Sequence, residues 1–212
     1  SAELEAEILH YVDQPLTMVS ADMIGKARRI SGAPDRYIEF CKSKLLPELS
    51  LKDMTIVIDC ANGATYHIAE AVFRELGADT IMLSNQPNGF NINADCGSTY
   101  PINLQKAVIE HNADVGIAYD GDGDRAIMVD NHGEIIDGDA MLYILATHAK
   151  KEKSLGKKGI VGTIMTNMGM EQALKQQGIP FARSAVGDKN VMEMLNKKGW
   201  FLGGEASGHI VH

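Results

Sequence analysis

The chain has 212 residues, 45% of them hydrophobic and 23% charged, enough for a sizeable core in one large or two small domains. Its formal net charge of −8 argues against nucleic acid or an anionic membrane as the main partner. No apolar run reaches the roughly 20 residues of a membrane helix, the N-terminus has no basic-then-apolar signal pattern, and Cys41, Cys60 and Cys96, odd in number and in no C-x-x-C pair, read as reduced thiols of a cytoplasmic protein.

Residues 3–12 predict a short amphipathic helix or a lead-in segment, closed by Pro15 and followed by a linker-like stretch around Thr17–Ser20. A second helix starts near Ala33, with Pro34 in its first turn and Tyr37, Ile38, Phe40, Cys41 and Leu45 at helical spacing. Arg28-Arg29-Ile30-Ser31 resembles a basic kinase site, a short match of the kind chance supplies. Residues 54–59 form a β-branched run, hence a buried strand, which ends in the small-residue turn Cys60–Thr65. A helix over 66–76 stopped by Gly77, a strand over 80–83, a long Asn- and Gly-rich loop over 85–100 and a helix over 101–112 follow. Val115–Tyr119 is the third strand. Ala126–Asp130 is a fourth, antiparallel because its connection is short.

After the turn at Asn131-His132-Gly133 the alternation restarts. Helices are expected over 139–150, 168–177 (capped by Thr166) and 188–198, and strands over 159–163, 181–184 and from Trp200. The fold class is therefore α/β: two consecutive small α/β units with mixed, mostly parallel sheets flanked by helices, divided as 1–133 and 134–212. The second unit reads as cut short, ending three residues after His209 with no closing helix.

Between the third and fourth strands lies Asp120-Gly121-Asp122-Gly123-Asp124-Arg125. In an extended backbone the three carboxylates would point one way, with the glycines free to bend around whatever they face. Three like charges so close should raise their pKa values unless a cation sits among them. Hard oxygen donors without Cys or His indicate Mg²⁺, ahead of Mn²⁺ or Ca²⁺. A calcium-binding helix-loop-helix is disfavoured, because the places that need Gly and Glu hold Arg125 and Asn131. A solvated acidic turn is the plain alternative.

Glu205, Ser207 and His209 fall at i, i+2 and i+4, and an extended backbone would give them one face. A carboxylate, a hydroxyl and an imidazole flanked by Gly204 and Gly208 suit a polyhydroxylated ligand. An ordinary Gly-rich turn is the alternative. A nucleophile elbow is excluded because Glu205 stands where Gly is needed, and neighbours along one short stretch do not make a relay triad. Gly187 and Asp188, between a strand and a helix, would meet a phosphate or hydroxyl, or Asp188 simply caps the helix. His67, His111, His132 and His148 are scattered and read as surface or packing residues.

The acidic loop and the Gly-Glu-x-Ser-Gly-His loop together resemble the α-D-phosphohexomutase superfamily, and within it the bacterial phosphoglucosamine mutases. The stretches 37–41, 59–66, 87–93 and 162–169 carry the same resemblance, so it covers nearly the whole chain. It implies a four-domain enzyme, with this chain supplying the second domain and most of the third. That enzyme interconverts glucosamine 6-phosphate and glucosamine 1-phosphate through a bisphosphorylated sugar, feeding amino-sugar nucleotide and cell-wall precursor synthesis. The phosphoryl carrier would be a phosphoserine in a Ser-His-Asn-Pro motif of the first domain, absent here, so this chain alone should be inactive. By resemblance Asp120, Asp122 and Asp124 bind Mg²⁺ and Arg125 steadies the phosphate. Glu205 and Ser207 would hold sugar hydroxyls, His209 would lie near the reacting hydroxyl, and Gly187 and Asp188 would line the same cleft. The implied partners are a phosphorylated hexosamine and the phosphoserine, with a homodimeric parent enzyme left open. One departure is Ala206, where these mutases usually carry an amide residue; it keeps phosphomannomutase or phosphoglucomutase specificity in play. A non-catalytic sugar- or metal-binding module is the reading from a different class, and an aspartate-nucleophile phosphatase a weaker one.

Overall fold

The computed structural model describes residues 2–45 and 49–212 and divides into two compact units, residues 1–33 and 34–212. In the first unit, helix α1 (Ala2–Val12) is followed by a single 3₁₀ turn, Ala21–Met23. The larger apolar side chains of α1, Leu4, Ile8, Leu9, Tyr11 and Val12, are all exposed.

The second unit carries two sheets. Helix α2 (Ala33–Lys42) leads into strand β1 (Thr55–Asp59), helix α3 (Ala69–Glu75), β2 (Asp79–Leu83), α4 (Ile102–Glu110), β3 (Val115–Tyr119), β4 (Ala126–Asp130) and β5 (Ile135–Ile136). These strands lie in the order β2-β1-β3-β4-β5. The first three are parallel, and β4 returns antiparallel to β3. Helix α5 (Gly138–Lys151), β6 (Ile160–Thr163), α6 (Met168–Gln176), β7 (Phe181–Ser184), α7 (Asp188–Lys198), β8 (Leu202–Gly204) and β9 (Ile210–Val211) complete the chain. Their order, β7-β6-β8-β9, repeats that of the first four strands, again with only the last one antiparallel.

Alternation along the central strands explains the layers. Ile56 and Ile58 of β1 face the α3 side, in a cluster with Ala69 and Ala78, while Val57 faces α4 with Leu104 and Val108. In the second sheet Ile160 packs with Leu142 and Leu174 of α5 and α6, and Val161 packs with Val191 and Leu195 of α7. Each buried Val, Leu or Ile among them contributes about 1.5–3 kcal/mol. Among the described residues no helix is long and apolar enough to cross a membrane.

Several details depart from the sequence expectations. Helix α2 stops at Lys42, so Leu45 lies outside it, and only Ile38 of its apolar positions is buried. Asn167, not Thr166, caps α6: its side chain accepts from the Gly169 amide at 2.7 Å. Thr166 is instead buried, its hydroxyl oxygen accepting from the Thr163 amide at 3.0 Å. The last predicted strand starts at Leu202 rather than Trp200 and continues through two glycines. Position 204 has no room for a side chain, because a Cβ there would press on the His209 carbonyl.

Candidate functional site

Both chemical loops leave the carboxyl end of the third strand of their sheet, where open α/β sheets place ligand groups. Neither is extended. Residues 121–124 form a series of bends, with Gly123 at φ +77°. The carboxylates of Asp120, Asp122 and Asp124 nevertheless converge, each offering an oxygen within 4.8 Å of the others. The loop is gripped by its neighbours. The Gly121 carbonyl accepts from the Ala64 amide at 2.8 Å, and the Tyr119 carbonyl from the Ser98 amide at 2.8 Å. A Cβ at Gly121 would meet the Asn93 amide group at 2.7 Å and displace it. The gripping segments are fixed by Asp59, a fully buried carboxylate that accepts from the Ala61 amide and the Gly97 amide, each at 2.9 Å. Ala61, Asn62, Ser84, Asn93 and Asp95 all sit at positive φ around this cradle, a local strain that only a dense hydrogen-bond set sustains.

The rise expected of crowded carboxylates unless a cation sits among them does not occur at Asp120. Its side chain is 2% exposed, and burial is the largest single influence, acting to raise its pKa. Arg125 outweighs it: the guanidinium Nε donates to Oδ2 at 2.7 Å, the Arg125 amide donates to Oδ1 at 3.1 Å, and the result lies below the ordinary carboxylate range. The neighbouring cation is therefore part of the chain. Asp124 behaves as expected. Burial and then the charges of Asp120 and Asp122 raise it, with partial relief from His209, whose Nδ1 lies 3.4 Å from its Oδ2.

Residues 205–209 form the tight turn of the β8–β9 hairpin, which corrects the expected extended stretch with one shared face. The Glu205 amide donates to the His209 carbonyl at 3.0 Å, and the Gly208 amide to the Glu205 carbonyl at 3.0 Å. Glu205, Ser207 and His209 are still brought together, by the turn rather than by alternation. Asp188 is the first residue of α7, and Gly187, at φ +115°, is its cap. The Gly187 amide is not open to a ligand as expected; it donates to Glu205 Oε1 at 2.9 Å.

These pieces enclose a cleft of about 400 Å³. Asp124 and Arg125 line it from the acidic loop, Glu205, Ala206, Ser207 and His209 from the hairpin turn, and Gly187 and Asp188 from the start of α7. Of the nine residues singled out from the sequence, seven line the cleft; Asp120 and Asp122 do not, but share the carboxylate cluster with Asp124. Thr163, Met165 and Val186 also line it and were missed. Small and apolar side chains carry no chemical signature in a sequence. Asp59 was visible as a charged end to a β-branched run, but its role depends on partners 2 and 38 residues away.

Residues 35–133 match the family model described as phosphoglucomutase/phosphomannomutase, alpha/beta/alpha domain II, and residues 137–212 match domain III of the same family. The chain belongs to the phosphoglucomutase/phosphomannomutase family. A relative within this family, phosphoglucosamine mutase of Pseudoalteromonas translucida (strain TAC 125), is 56% identical over 210 residues, which is 99% of this chain and 46% of that protein. The chain thus spans about half the length of the curated relatives it matches. Among solved structures, a phosphoglucomutase/phosphomannomutase family protein from Burkholderia thailandensis superposes with a TM-score of 0.70 at 26% identity, over 84% of this chain and 38% of that one. An Aspergillus fumigatus N-acetylphosphoglucosamine mutase, solved in complex with GlcNAc-6P and magnesium, shares the fold with a TM-score of 0.62 at 20% identity, over 82% of this chain and 39% of that one.

Proposed function

We propose that this chain is the metal-binding and sugar-binding part of a phosphoglucosamine mutase, which interconverts glucosamine 6-phosphate and glucosamine 1-phosphate. Residues 1–133 would form the second-domain portion and 134–212 the third. The observation that carries the reading is the single cleft in which the acidic loop and the Glu205–His209 turn meet. The 56% identity to a phosphoglucosamine mutase along nearly the whole chain supports the choice of substrate.

Three convergent carboxylates suit Mg²⁺, so Asp120, Asp122 and Asp124 are the residues that would hold it. When bound, that ion supplies positive charge to the non-bridging oxygens of a phosphate. The protein's own residues do the positioning. Arg125, fixed through Asp120, presents a guanidinium at the cleft wall for the phosphate that transfers. Glu205, held by the Gly187 amide, and the exposed hydroxyl of Ser207 offer an acceptor and a donor-acceptor to sugar hydroxyls. His209, beside Asp124 on the cleft wall, would pass a proton to or from the reacting hydroxyl. Phosphoryl transfer needs mainly this kind of positioning and charge neutralisation. The serine that carries the phosphoryl group and the basic residues for the second phosphate would come from other parts of the parent enzyme, which accounts for the −8 charge here.

The test joins this segment to its native flanks and assays glucosamine, glucose and mannose phosphates in parallel. The expected result is turnover of glucosamine phosphate that requires Mg²⁺ and is lost in Asp122→Ala. Preferred turnover of mannose or glucose phosphate would shift the assignment within the family, a result to which Ala206 in the cleft wall gives a specific motive. Turnover by the 212-residue chain alone would contradict the reading.

A further inference from the structure

The first turn of α5 touches two walls of the cleft through adjacent residues. The Gly138 amide donates to the Ala206 carbonyl at 3.1 Å, in the hairpin turn. There is no space for a side chain at position 138, where a Cβ would collide with the Glu205 carbonyl. The next residue, Asp139, is 4% exposed, and its Oδ2 accepts from the Asn167 amide at 2.7 Å, in the turn that follows β6. That turn carries Thr163 and Met165 into the cleft. Its other side is held by Arg183, which donates to the carbonyls of Thr163 and Thr166, each at 2.9 Å, and pairs with Glu171 at 2.7 Å.

We propose that Asp139 is a positioning residue that joins the 163–167 turn and the 205–209 turn into one body, so that both sides of the cleft keep a fixed spacing. A buried carboxylate is a costly way to fill a core position. Among the described residues Asp139 Oδ1 has no hydrogen bond of ordinary geometry, though the Thr166 hydroxyl, in the same turn, also favours the charged carboxylate. Its value lies in the one strong bond to a backbone amide, placed one residue from the bond to the opposite wall. A charged acceptor makes that bond shorter and stronger than a neutral one. The Asp137 side chain, accepting from the Ala140 amide at 2.9 Å, keeps the helix turn itself in shape. The functional part of the proposal rests on the reading of this cleft as a sugar-phosphate site.

The test uses the ¹⁵N-labelled 212-residue chain and its variants Asp139→Ala and Asp139→Asn. Asp114→Asn is the control, because Asp114 also accepts a backbone amide, from Thr55 at 2.8 Å, at the opposite end of the first sheet. In Asp139→Ala the amides of both Gly138 and Thr166 should exchange at least about tenfold faster, while those of Ile56 and Ile58 stay unchanged. Asp139→Asn keeps an oxygen acceptor and should restore both amides to within about threefold of wild type. A purely structural role would raise exchange in the second sheet at large, with no rescue by the conservative variant. Faster exchange at Thr166 without any change at Gly138 would overturn the coupling. If Asp139→Ala does not fold, the wild type still decides: the Gly138 and Thr166 amides should open with one common dependence on denaturant, and two different slopes would refute the proposal. Titration with glucosamine 6-phosphate separates this question from the substrate. Shifts at Met165 and Ser207 together, weakened in Asp139→Ala, support both readings. A wild type that ignores the sugar phosphate, with the exchange pattern as expected, upholds the coupling and removes the sugar-phosphate assignment.

Discussion

Three aspartates of one loop, two residues apart, have been given different physical tasks. Asp120 is buried and held by Arg125, whereas Asp122 and Asp124 are exposed. Removing each should therefore read out differently. Asp120→Asn takes away the charge that Arg125 pairs with, and at neutral pH it should cost about 1.5–3 kcal/mol in urea unfolding, as for other hydrogen bonds to charged groups. Because Arg125 holds the folded Asp120 below the usual carboxylate range, that contribution is present above the unfolded carboxylate pKa and is lost as the pH falls through the lower, folded value. The variant's stability should thus converge on that of wild type in acid. Asp122→Ala should change the stability of the metal-free chain by no more than about 0.5 kcal/mol, as at most exposed sites. Its effect belongs to the ion. Mg²⁺ affinity, followed calorimetrically in the parent enzyme, should fall at least about tenfold, the lower end of what even an outer-shell partner is worth. Equal losses of stability in the two variants would mean that Asp120 is not the structural member of the trio.

Turns and helix ends, rather than the strands, decide the shape of the cleft, and they are the elements the sequence reveals least. Strand β1 was legible because Ile56, Val57 and Ile58 make a β-branched run, and α7 because Gly199 stops it in a left-handed conformation at φ +63°. The two-residue strands β5 and β9 are too short to leave a periodic signal, so the sequence does not distinguish the hairpin that gathers Glu205, Ser207 and His209 from an extended stretch. The α6 cap lies one residue beyond the expected Thr166, since Thr166 and Asn167 are both good capping types and only the buried partner of Thr166 decides between them. Asn167→Ala should accordingly cost about 1 kcal/mol in thermal or urea unfolding, the usual loss for a helix cap. Asp139, at the start of α5, gives a prediction of opposite sign to that for Asp120. Burial raises its folded pKa above that of the unfolded chain. The folded state therefore binds the proton more tightly, and stability falls as pH rises from the unfolded value through the folded one. Asp139→Asn should remove that decline, so wild type and variant diverge with rising pH in favour of the variant. A wild-type advantage that grows over the same range would show that the Asn167 bond outweighs the cost of burial.

At the scale of the whole second unit, the same strand order is used twice, and the two copies meet through their functional loops. The Ala126 amide, first residue after the acidic loop, donates to the Gly208 carbonyl in the hairpin turn at 3.1 Å. Gly208 sits at φ +94°, and a Cβ on it would collide with the Ala126 carbonyl, so only glycine permits this approach. The Asp124–His209 pair and the Gly138–Ala206 bond lie alongside. No single stretch of sequence announces this junction, because its glycines, 138 and 208, are needed only for what another segment brings against them. The junction links the two sheets through these contacts, and mechanical coupling across it would have a measurable thermodynamic consequence. An ion bound at the acidic loop stabilises whatever must open to release it, by about 2.7 kcal/mol at a hundredfold excess over the dissociation constant. If the junction transmits this, saturating Mg²⁺ should slow exchange of the Ile160 and Val161 amides in β6, in the sheet that holds none of the three aspartates. If it does not, protection should rise only in β1, β3 and β4. Gly208→Ala provides the discriminating variant. Strain at positive φ together with the collision should cost about 1–3 kcal/mol, and the protection that Mg²⁺ gives to β6 should disappear while that of β3 persists. Persistence of β6 protection in Gly208→Ala would place the coupling elsewhere, in the α5 turn.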